Sequence, residues 1–301
     1  MKNSFIYIII LTILACACKN DNDDKKELKK NTVQIDNIKD ETNLNISILL
    51  DLSDRIDTIK YPNEAMQNYL RDIGYINSVI TAFTTHLKQK KVRKMNDKIA
   101  LYFDPEPKNQ KINKISQELK FDITRQNVTL ELFDEIQKAY TEKPKQIYEL
   151  AISDGNYVGS DTWNFFKSKL KDYCIEDDHR NILIILTDGY MFHIDNKRKN
   201  DNKTSYLRPQ DIRSWGLNDE KWESEFKQKG FGFIPASQNL QNLDVLVLGL
   251  NPDKKNTYEE EVLRKFWSNW LEDMDIRYSE IKTNDIPSNM DKVIQEFILQ
   301  N

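Results

Sequence analysis

The stretch NILIILTDG at residues 181–189 contains five consecutive aliphatic residues, followed by Thr187, Asp188 and Gly189. A continuous aliphatic run without polar alternation is typical of a strand that is covered on both faces in a parallel sheet. A second run of this kind, LDVLVL, occupies residues 243–248. The two runs therefore predict the interior of a parallel sheet, with an aspartate just beyond the end of one strand.

Shorter apolar segments at residues 46–50 and 99–103 predict two further strands, because polar or turn residues bound them. Periodicity predicts the remaining elements: a helix from about residue 63, a helix over 163–173, a helix over 258–274, a strand near 276–281 and a helix over 287–299. This alternation indicates an α/β fold, with a doubly wound, mostly parallel sheet that is flanked by helices.

The composition excludes several classes of protein. The 301 residues carry 44 basic and 48 acidic side chains, and the formal net charge of -4 gives no reason to expect nucleic-acid binding. Hydrophobic residues make up 39% of the chain, which is enough for a folded core and excludes low-complexity disorder. Two of the three cysteines lie within the first eighteen residues, so Cys174 cannot form a disulfide inside the folded domain.

Residues 1–18 have the pattern of a signal peptide, because Lys2 precedes an apolar run at 5–15 and small residues surround a cleavage point. This run is shorter than the roughly 20 residues that a membrane-spanning helix needs. A cysteine at the cleavage point resembles the lipobox of bacterial lipoproteins, and both Cys16 and Cys18 are acceptable lipidation sites. The alternative interpretation is a plain secretory signal with incidental cysteines.

The segment 19–45 begins with charged residues that cannot bury apolar surface, and it is predicted to be a flexible polar tether. Its acidic beginning resembles the surface-export signal of lipoproteins from the Bacteroidetes group. That resemblance implies a lipid-anchored protein of the cell envelope, in the outer membrane and exposed on the cell surface. The folded domain is predicted over residues 46–301.

Polar residues with metal-binding chemistry follow the predicted strands. Asp51 and Ser53 come directly after the strand at 46–50, and Asp188 follows the strand at 181–186. In a doubly wound sheet, functional residues gather where the C-terminal ends of the strands meet at the point of reversed strand order. Mg²⁺ prefers oxygen ligands, so these residues predict a site for a hard cation.

The same residues have a simpler interpretation. Aspartate and serine are common after strands for conformational reasons, and Asp-Gly is a frequent turn sequence. The joint placement of Asp51 and Asp188 after two hydrophobic strands favours the functional interpretation. A third loop, at residues 155–162, offers a further hydroxyl from Ser160 or Thr162.

These motifs resemble those of the von Willebrand factor A-type domain. In that family Mg²⁺ or a similar ion is held by an Asp-x-Ser-x-Ser motif after the first strand, a threonine of a middle loop and an Asp-Gly after a later strand. Residues 51–53 match the Asp-x-Ser that begins the first motif, and residues 188–189 match the Asp-Gly. Ser160 or Thr162 takes the place of the middle-loop threonine. The resemblance covers roughly residues 46–300 and implies Mg²⁺ or Mn²⁺ as the cofactor.

One position departs from the family motif. Arg55 stands where the second serine is expected, so a permanent cation replaces an oxygen ligand. If the side chain points into the site, it lowers the affinity for a divalent cation or pairs with Asp51 or Asp188 in place of that cation. If it points outward, the remaining oxygens can still hold the ion. The sequence leaves both outcomes open.

Residues 190–237 form an insertion directly after Asp188, so they must emerge on the same side of the sheet as the predicted metal site. The mixture of aromatic and charged residues predicts a folded unit, and the basic segment 196–200 predicts a solvated loop tip. Binding specificity usually lies in loops carried on a rigid scaffold. We therefore expect the insertion to contact an unidentified protein partner.

Three functional hypotheses follow. The chain contains no complete set of catalytic residues, which favours a non-enzymatic binding module. In this hypothesis a carboxylate of a partner protein completes the coordination of the bound cation. A metal-free envelope scaffold with a degenerate site is the second hypothesis, and Arg55 favours it. The third is a Mg²⁺-dependent phosphohydrolase of haloacid-dehalogenase-like type with Asp51 as nucleophile, although that family expects an aspartate where this chain has Ser53.

Overall fold

The computed structural model describes residues 42–63, 65–157 and 159–300. The predicted signal peptide, with Cys16 and Cys18, and the first part of the predicted tether lie outside the described residues. Within these ranges, no helix is both long enough and apolar enough to cross a membrane. The described ranges form nine strands: β1 (Asn43–Leu50), β2 (Asn96–Phe103), β3 (Phe121–Thr124), β4 (His179–Leu186), β5 (Lys199–Asn200), β6 (Lys203–Thr204), β7 (Gly232–Phe233), β8 (Leu243–Leu250) and β9 (Tyr278–Thr283).

Six of the strands form one sheet in the order β3-β2-β1-β4-β8-β9. All neighbouring strands in it are parallel except β2 and β3. The strand order reverses between β1 and β4, since the chain first adds strands on the β2 side and then on the β8 side. The predicted α/β fold with a doubly wound, mostly parallel sheet is confirmed, and this topology is compatible with Rossmann-like and von Willebrand factor A-like folds.

Helices cover both faces of the sheet. The described helices are α1 (Asn68–Gln89), α2 (Gln110–Gln117), α3 (Leu130–Asp154), α4 (Thr162–Ser168), α5 (Leu170–Cys174), α6 (Pro209–Ser214), α7 (Trp222–Lys229), α8 (Glu259–Glu272) and α9 (Pro287–Leu299). Residues of α1, α3 and α9 share one core with Ile182 and Ile184 of β4, whereas residues of α4 and α8 share a second core with Leu183 and Ile185. Successive residues of β4 therefore enter different cores, which explains why this strand is apolar without alternation.

Two predicted helix boundaries are wrong. The helix predicted from residue 63 begins at Asn68, and the Asn63 side chain before it accepts hydrogen bonds from the backbone N–H groups of Ala65 and Met66. The helix predicted over 163–173 is divided at Lys169, which leaves helical backbone geometry with φ -123° and ψ -32°. The two short helices α4 and α5 replace it.

Strand β1 begins at Asn43 rather than at residue 46, where the sequence predicts the strand to start. The side-chain amide of Asn45 donates to Asn181 Oδ1 at 2.8 Å and to the Cys174 carbonyl at 3.0 Å. These hydrogen bonds satisfy buried polar groups at the start of the strand, which a hydrophobic pattern does not reveal. Strand β3 was not predicted, since it is only four residues long and antiparallel at one edge of the sheet.

The insertion 190–237 is folded, as predicted. It contains β5, β6, β7, α6 and α7. The rings of Phe226 and Phe233 lie 5.0 Å and 5.2 Å from the ring of Phe266 on α8, measured between centroids. Aromatic packing therefore anchors the insertion on the main domain. The basic segment 196–200 is mostly exposed, as predicted, but its last two residues form β5 rather than a loop.

Candidate functional site

Strands β1 and β4 end side by side at the point where the strand order reverses. The backbone N–H of Asp51 donates to the Leu186 carbonyl at 3.1 Å, so the two chains stay paired just beyond the end of β1. Loops that leave such a point diverge and form a crevice, which is where ligands bind in open α/β sheets. The predicted residues Asp51, Ser53 and Asp188 all follow these two strand ends.

A cleft of about 590 Å³ opens at this edge of the sheet. Three of the predicted metal ligands, Ser53, Ser160 and Asp188, line it. Thr162 is not one of the lining residues; it is buried, and its hydroxyl lies 3.3 Å from the Ser160 hydroxyl. Of the two middle-loop candidates, the structure therefore brings Ser160 to the cleft and leaves Thr162 behind it.

The insertion holds Ser160 in place. The backbone N–H groups of Ser160 and Phe192 each donate to the carbonyl of the other residue, at 3.0 Å and 3.1 Å. Gly159 precedes this bridge with φ +87°, and a Cβ atom there would lie 2.4 Å from the Phe192 carbonyl oxygen. Glycine is therefore required at this position, both for its backbone conformation and for the close approach of the insertion.

Asp51 organises the base of the site and is itself buried, with 3% of its surface exposed. Its Oδ1 accepts a hydrogen bond from the Ser53 backbone N–H at 2.9 Å, and its Oδ2 accepts one from the Thr187 hydroxyl at 2.9 Å. The Thr187 oxygen also accepts the Gly189 N–H at 3.2 Å. One carboxylate thus joins the two loops that carry Ser53 and Asp188. Thr187 was not among the predicted site residues, although it stands directly before Asp188.

Arg55 points inward, beneath the two strand ends, with 4% of its surface exposed. Its guanidinium donates to the backbone carbonyls of Asp51 at 3.1 Å and Leu186 at 3.0 Å, and to Asp72 Oδ2 at 2.5 Å. The Tyr148 hydroxyl donates to the same Asp72 oxygen at 2.7 Å. Arg55 is therefore bound chiefly to Asp72, a residue of α1 that was not predicted to belong to the site.

The burial of Arg55 does not remove its charge. Burial disfavours the cation, but the carboxylates of Asp72 and Asp51 outweigh this effect and raise the pKa of Arg55. The Arg55 Nε atom lies 3.6 Å from Asp51 Oδ2, which is longer than the contact with Asp72. Of the two outcomes left open by the sequence, the structure shows the inward-pointing one: the guanidinium is buried inside the site and approaches Asp51. Its main partner is Asp72 on α1, rather than Asp51 or Asp188.

Asp188 is partly buried, and its Oδ1 accepts the Tyr190 backbone N–H at 3.1 Å. Burial, followed by the negative charge of Asp51, raises the pKa of Asp188 to about 7, against the opposing effect of Arg55. When ionised, Asp51, Asp72 and Asp188 carry three negative charges against the one positive charge of Arg55. In that state the floor of the site carries an excess of negative charge, and because the pKa of Asp188 is about 7, the state is fully reached only above neutral pH.

This donor set fits a hard divalent cation. The residues Ser53, Ser160 and Asp188 line the cleft, and their side chains carry hydroxyl and carboxylate oxygens, donors of the type that Mg²⁺ and Mn²⁺ prefer. Within the described ranges, no group of three or more His, Cys, Asp or Glu residues is arranged to hold a metal ion. A site built from two serine hydroxyls and one aspartate carboxylate contains only one residue of those four types, so this finding does not bear on it.

No known protein-family model matches the chain, and no curated protein sequence matches it. The geometry of the cleft therefore provides the basis for assigning a function.

Proposed function

We propose that this chain is a von Willebrand factor A-like binding module of a cell-envelope lipoprotein, which binds a partner through a divalent cation. Ser53, Ser160 and Asp188 hold Mg²⁺ or Mn²⁺, and Cys16 or Cys18 carries the lipid that anchors the protein in the outer membrane. The observation that carries the proposal is the presence of all three oxygen donors in one cleft at the switch point of the sheet. Each donor comes from a different loop.

The surrounding residues position the donors. Asp51 and Thr187 join the loops after β1 and β4, and the bridge to Phe192 holds the middle loop. When bound, the cation supplies an exchangeable coordination position, which a carboxylate of the partner can occupy. The excess negative charge at the floor of the cleft favours cation binding over direct binding of an anion to these residues.

A metal-free scaffold is the second candidate, and Arg55 is the observation that favours it. A built-in cation already pairs with Asp72 and lies near Asp51, so the strand ends can be stable without a bound ion. The phosphohydrolase hypothesis is disfavoured. A carboxylate nucleophile must be able to reach its substrate, whereas both oxygens of the buried Asp51 already accept hydrogen bonds, one from Ser53 in the same loop and one from Thr187 in the neighbouring loop.

Calorimetric titration of the purified protein with Mg²⁺ and Mn²⁺ separates these functions. We expect saturable binding that is lost in Asp188→Ala and in the double variant Ser53→Ala/Ser160→Ala. Asp253→Asn is the matched control, since Asp253 lines the same cleft but is paired with Arg213 at 2.9 Å. Absence of cation binding, or binding that survives Asp188→Ala, would refute the proposed site.

A further inference from the structure

Arg208, the residue before α6, contributes a fixed cation to the lining of the cleft. Its Nε and Nη2 atoms donate to the two carboxylate oxygens of Asp211, each at 2.8 Å. Its guanidinium carbon lies 4.8 Å from the centroid of the Phe192 ring, within range of a cation–π contact. A long side chain that is held from two directions loses little further freedom when it binds a ligand.

The same guanidinium keeps unused hydrogen-bond donors. An arginine side chain has five N–H groups, and the bond pair with Asp211 uses two of them. In the described part of the chain, no hydrogen bond involves Arg208 Nη1, and 31% of the side chain is exposed. Arg208 can therefore bind a second anion without releasing Asp211.

Lys254 adds a further positive charge to the lining, besides Arg208 and the buried Arg55. It is exposed in the loop between β8 and α8, and it forms no ion pair with any described residue. The acidic side chains that also line the cleft have partners of their own: Asp54 pairs with Lys60, and Asp253 pairs with Arg213. The cleft thus presents the carboxylate of Asp188, the unpaired cation of Lys254 in the loop after β8, and the free N–H donors of Arg208 in the insertion, whose charge is shared with Asp211.

We propose that Arg208 and Lys254 form a second subsite for a carboxylate, and that the partner presents two acidic side chains on one short peptide segment. One carboxylate binds at the cation site, and this half of the inference rests on the proposed function. The second binds to the free guanidinium edge of Arg208, whose planar geometry matches a carboxylate. A cleft of about 590 Å³ has room for a short segment of extended chain.

Synthetic peptides with capped termini provide the test. Each contains two aspartates separated by one to four glycines, and each has a counterpart in which the second aspartate is asparagine. Affinities are measured by fluorescence anisotropy in Mg²⁺. At the best spacing we expect the two-aspartate peptide to bind about tenfold more tightly than its counterpart, the effect of one charged hydrogen-bonding pair.

The advantage of the second aspartate is expected to disappear in Arg208→Gln. Arg198→Gln is the matched control, because Arg198 also belongs to the insertion and packs over the Trp163 ring at 5.0 Å but does not line the cleft. If Arg208→Gln does not fold, Lys254→Gln provides the test, since that exposed side chain forms no ion pair with any described residue. We expect Lys254→Gln to reduce the affinity advantage of the two-aspartate peptide severalfold. Equal affinities for both peptides in the natural protein, or an advantage that persists in both variants, would overturn the inference.

Repeating the titration with a chelator distinguishes the two proposals. Loss of binding for the single-aspartate peptide supports the cation site, and residual binding of the two-aspartate peptide that depends on Arg208 supports the subsite. If peptide affinity is unchanged by the chelator but falls in Arg208→Gln, the proposed function is contradicted and the subsite is supported. If peptide affinity is lost with the chelator but unchanged in Arg208→Gln, the cation site is supported and the subsite is contradicted.

Discussion

Replacing Arg55 by methionine removes the positive charge beneath the two strand ends and leaves the size of the side chain similar. The substitution leaves Asp72, which is 2% exposed, with the Tyr148 hydroxyl as its one remaining hydrogen-bond partner among the described residues. Two backbone carbonyls, of Asp51 and Leu186, lose their guanidinium donor at the same time. Because one charge of a buried pair is left uncompensated, we expect a large loss of stability.

The magnitude follows from measurements on other buried ion pairs. Removing one partner costs about 3–5 kcal/mol, a large part of the roughly 5–15 kcal/mol that stabilises a typical domain. For a domain of this size, that loss lowers Tm by about 10 °C. Tyr148→Phe, which removes only one hydrogen bond to Asp72, is expected to cost about 1–2 kcal/mol.

Urea denaturation followed by far-ultraviolet circular dichroism, at pH 7 and with a chelator present, measures these changes. Arg213→Met is the control, because its ion pair with Asp253 is exposed, with 48% of the Arg213 side chain accessible. That variant is expected to lose less than about 1 kcal/mol. If Arg55→Met is no less stable than the control, the assignment of Arg55 as the buried partner of Asp72 is wrong.

Three further predictions concern single residues. Thr187→Val removes the 2.9 Å hydrogen bond to Asp51 and is expected to cost about 1–3 kcal/mol in urea denaturation; an unchanged midpoint would contradict this. Burial raises the pKa of Asp188 to about 7, from about 3.9 in an unfolded chain, so its contribution to stability is present below pH 4 and is lost as the pH rises through 7. Without divalent cation, Asp188→Asn is therefore expected to raise Tm at pH 8 but not at pH 4, and no gain at pH 8 would refute the reasoning. Burial also raises the pKa of the Cys174 thiol to about 12, so a thiol reagent should modify it only after unfolding, as mapped by mass spectrometry; rapid modification of the native protein would contradict its burial.

The sheet and its functional edge could be predicted because they depend on local patterns. A strand buried on both faces is apolar at every position, so β4 and β8 were recognisable from residues 181–186 and 243–248 alone. Asp188 lies in the loop just after the end of β4, so the end of this strand also indicated the position of Asp188. The order of strands and helices then placed Asp51 and Asp188 at one edge, since parallel strands end on the same side of a sheet.

The partners of the site residues could not be predicted in this way, because they are distant in sequence. Asp72 lies on a helix 17 residues after Arg55, and Tyr148 is 76 residues from Asp72. A polar residue on an amphipathic helix normally predicts an exposed position. Only the packing of α1 and α3 against the strand ends shows that Asp72 is buried and paired.

The choice between Ser160 and Thr162 was also beyond the sequence. Both hydroxyls follow the same glycine within three positions, and only the bridge to Phe192 in the insertion determines which of them faces the cleft. The polar start of β1 was missed for a related reason: Asn45 is buried, and hydrogen bonds to Asn181 and to the Cys174 carbonyl satisfy its side-chain amide. Long-range hydrogen bonds leave no periodic pattern in a sequence.

The most direct test of the cation site is crystallography of the protein with saturating Mn²⁺, using anomalous scattering to locate the metal. We expect one strong peak in the cleft, within coordination distance of the Ser53 and Ser160 hydroxyls and the Asp188 carboxylate, with Arg55 still paired to Asp72. Crystals without a peak in the cleft would contradict the account and would favour the metal-free scaffold, in which Arg55 alone compensates the charge of the strand ends.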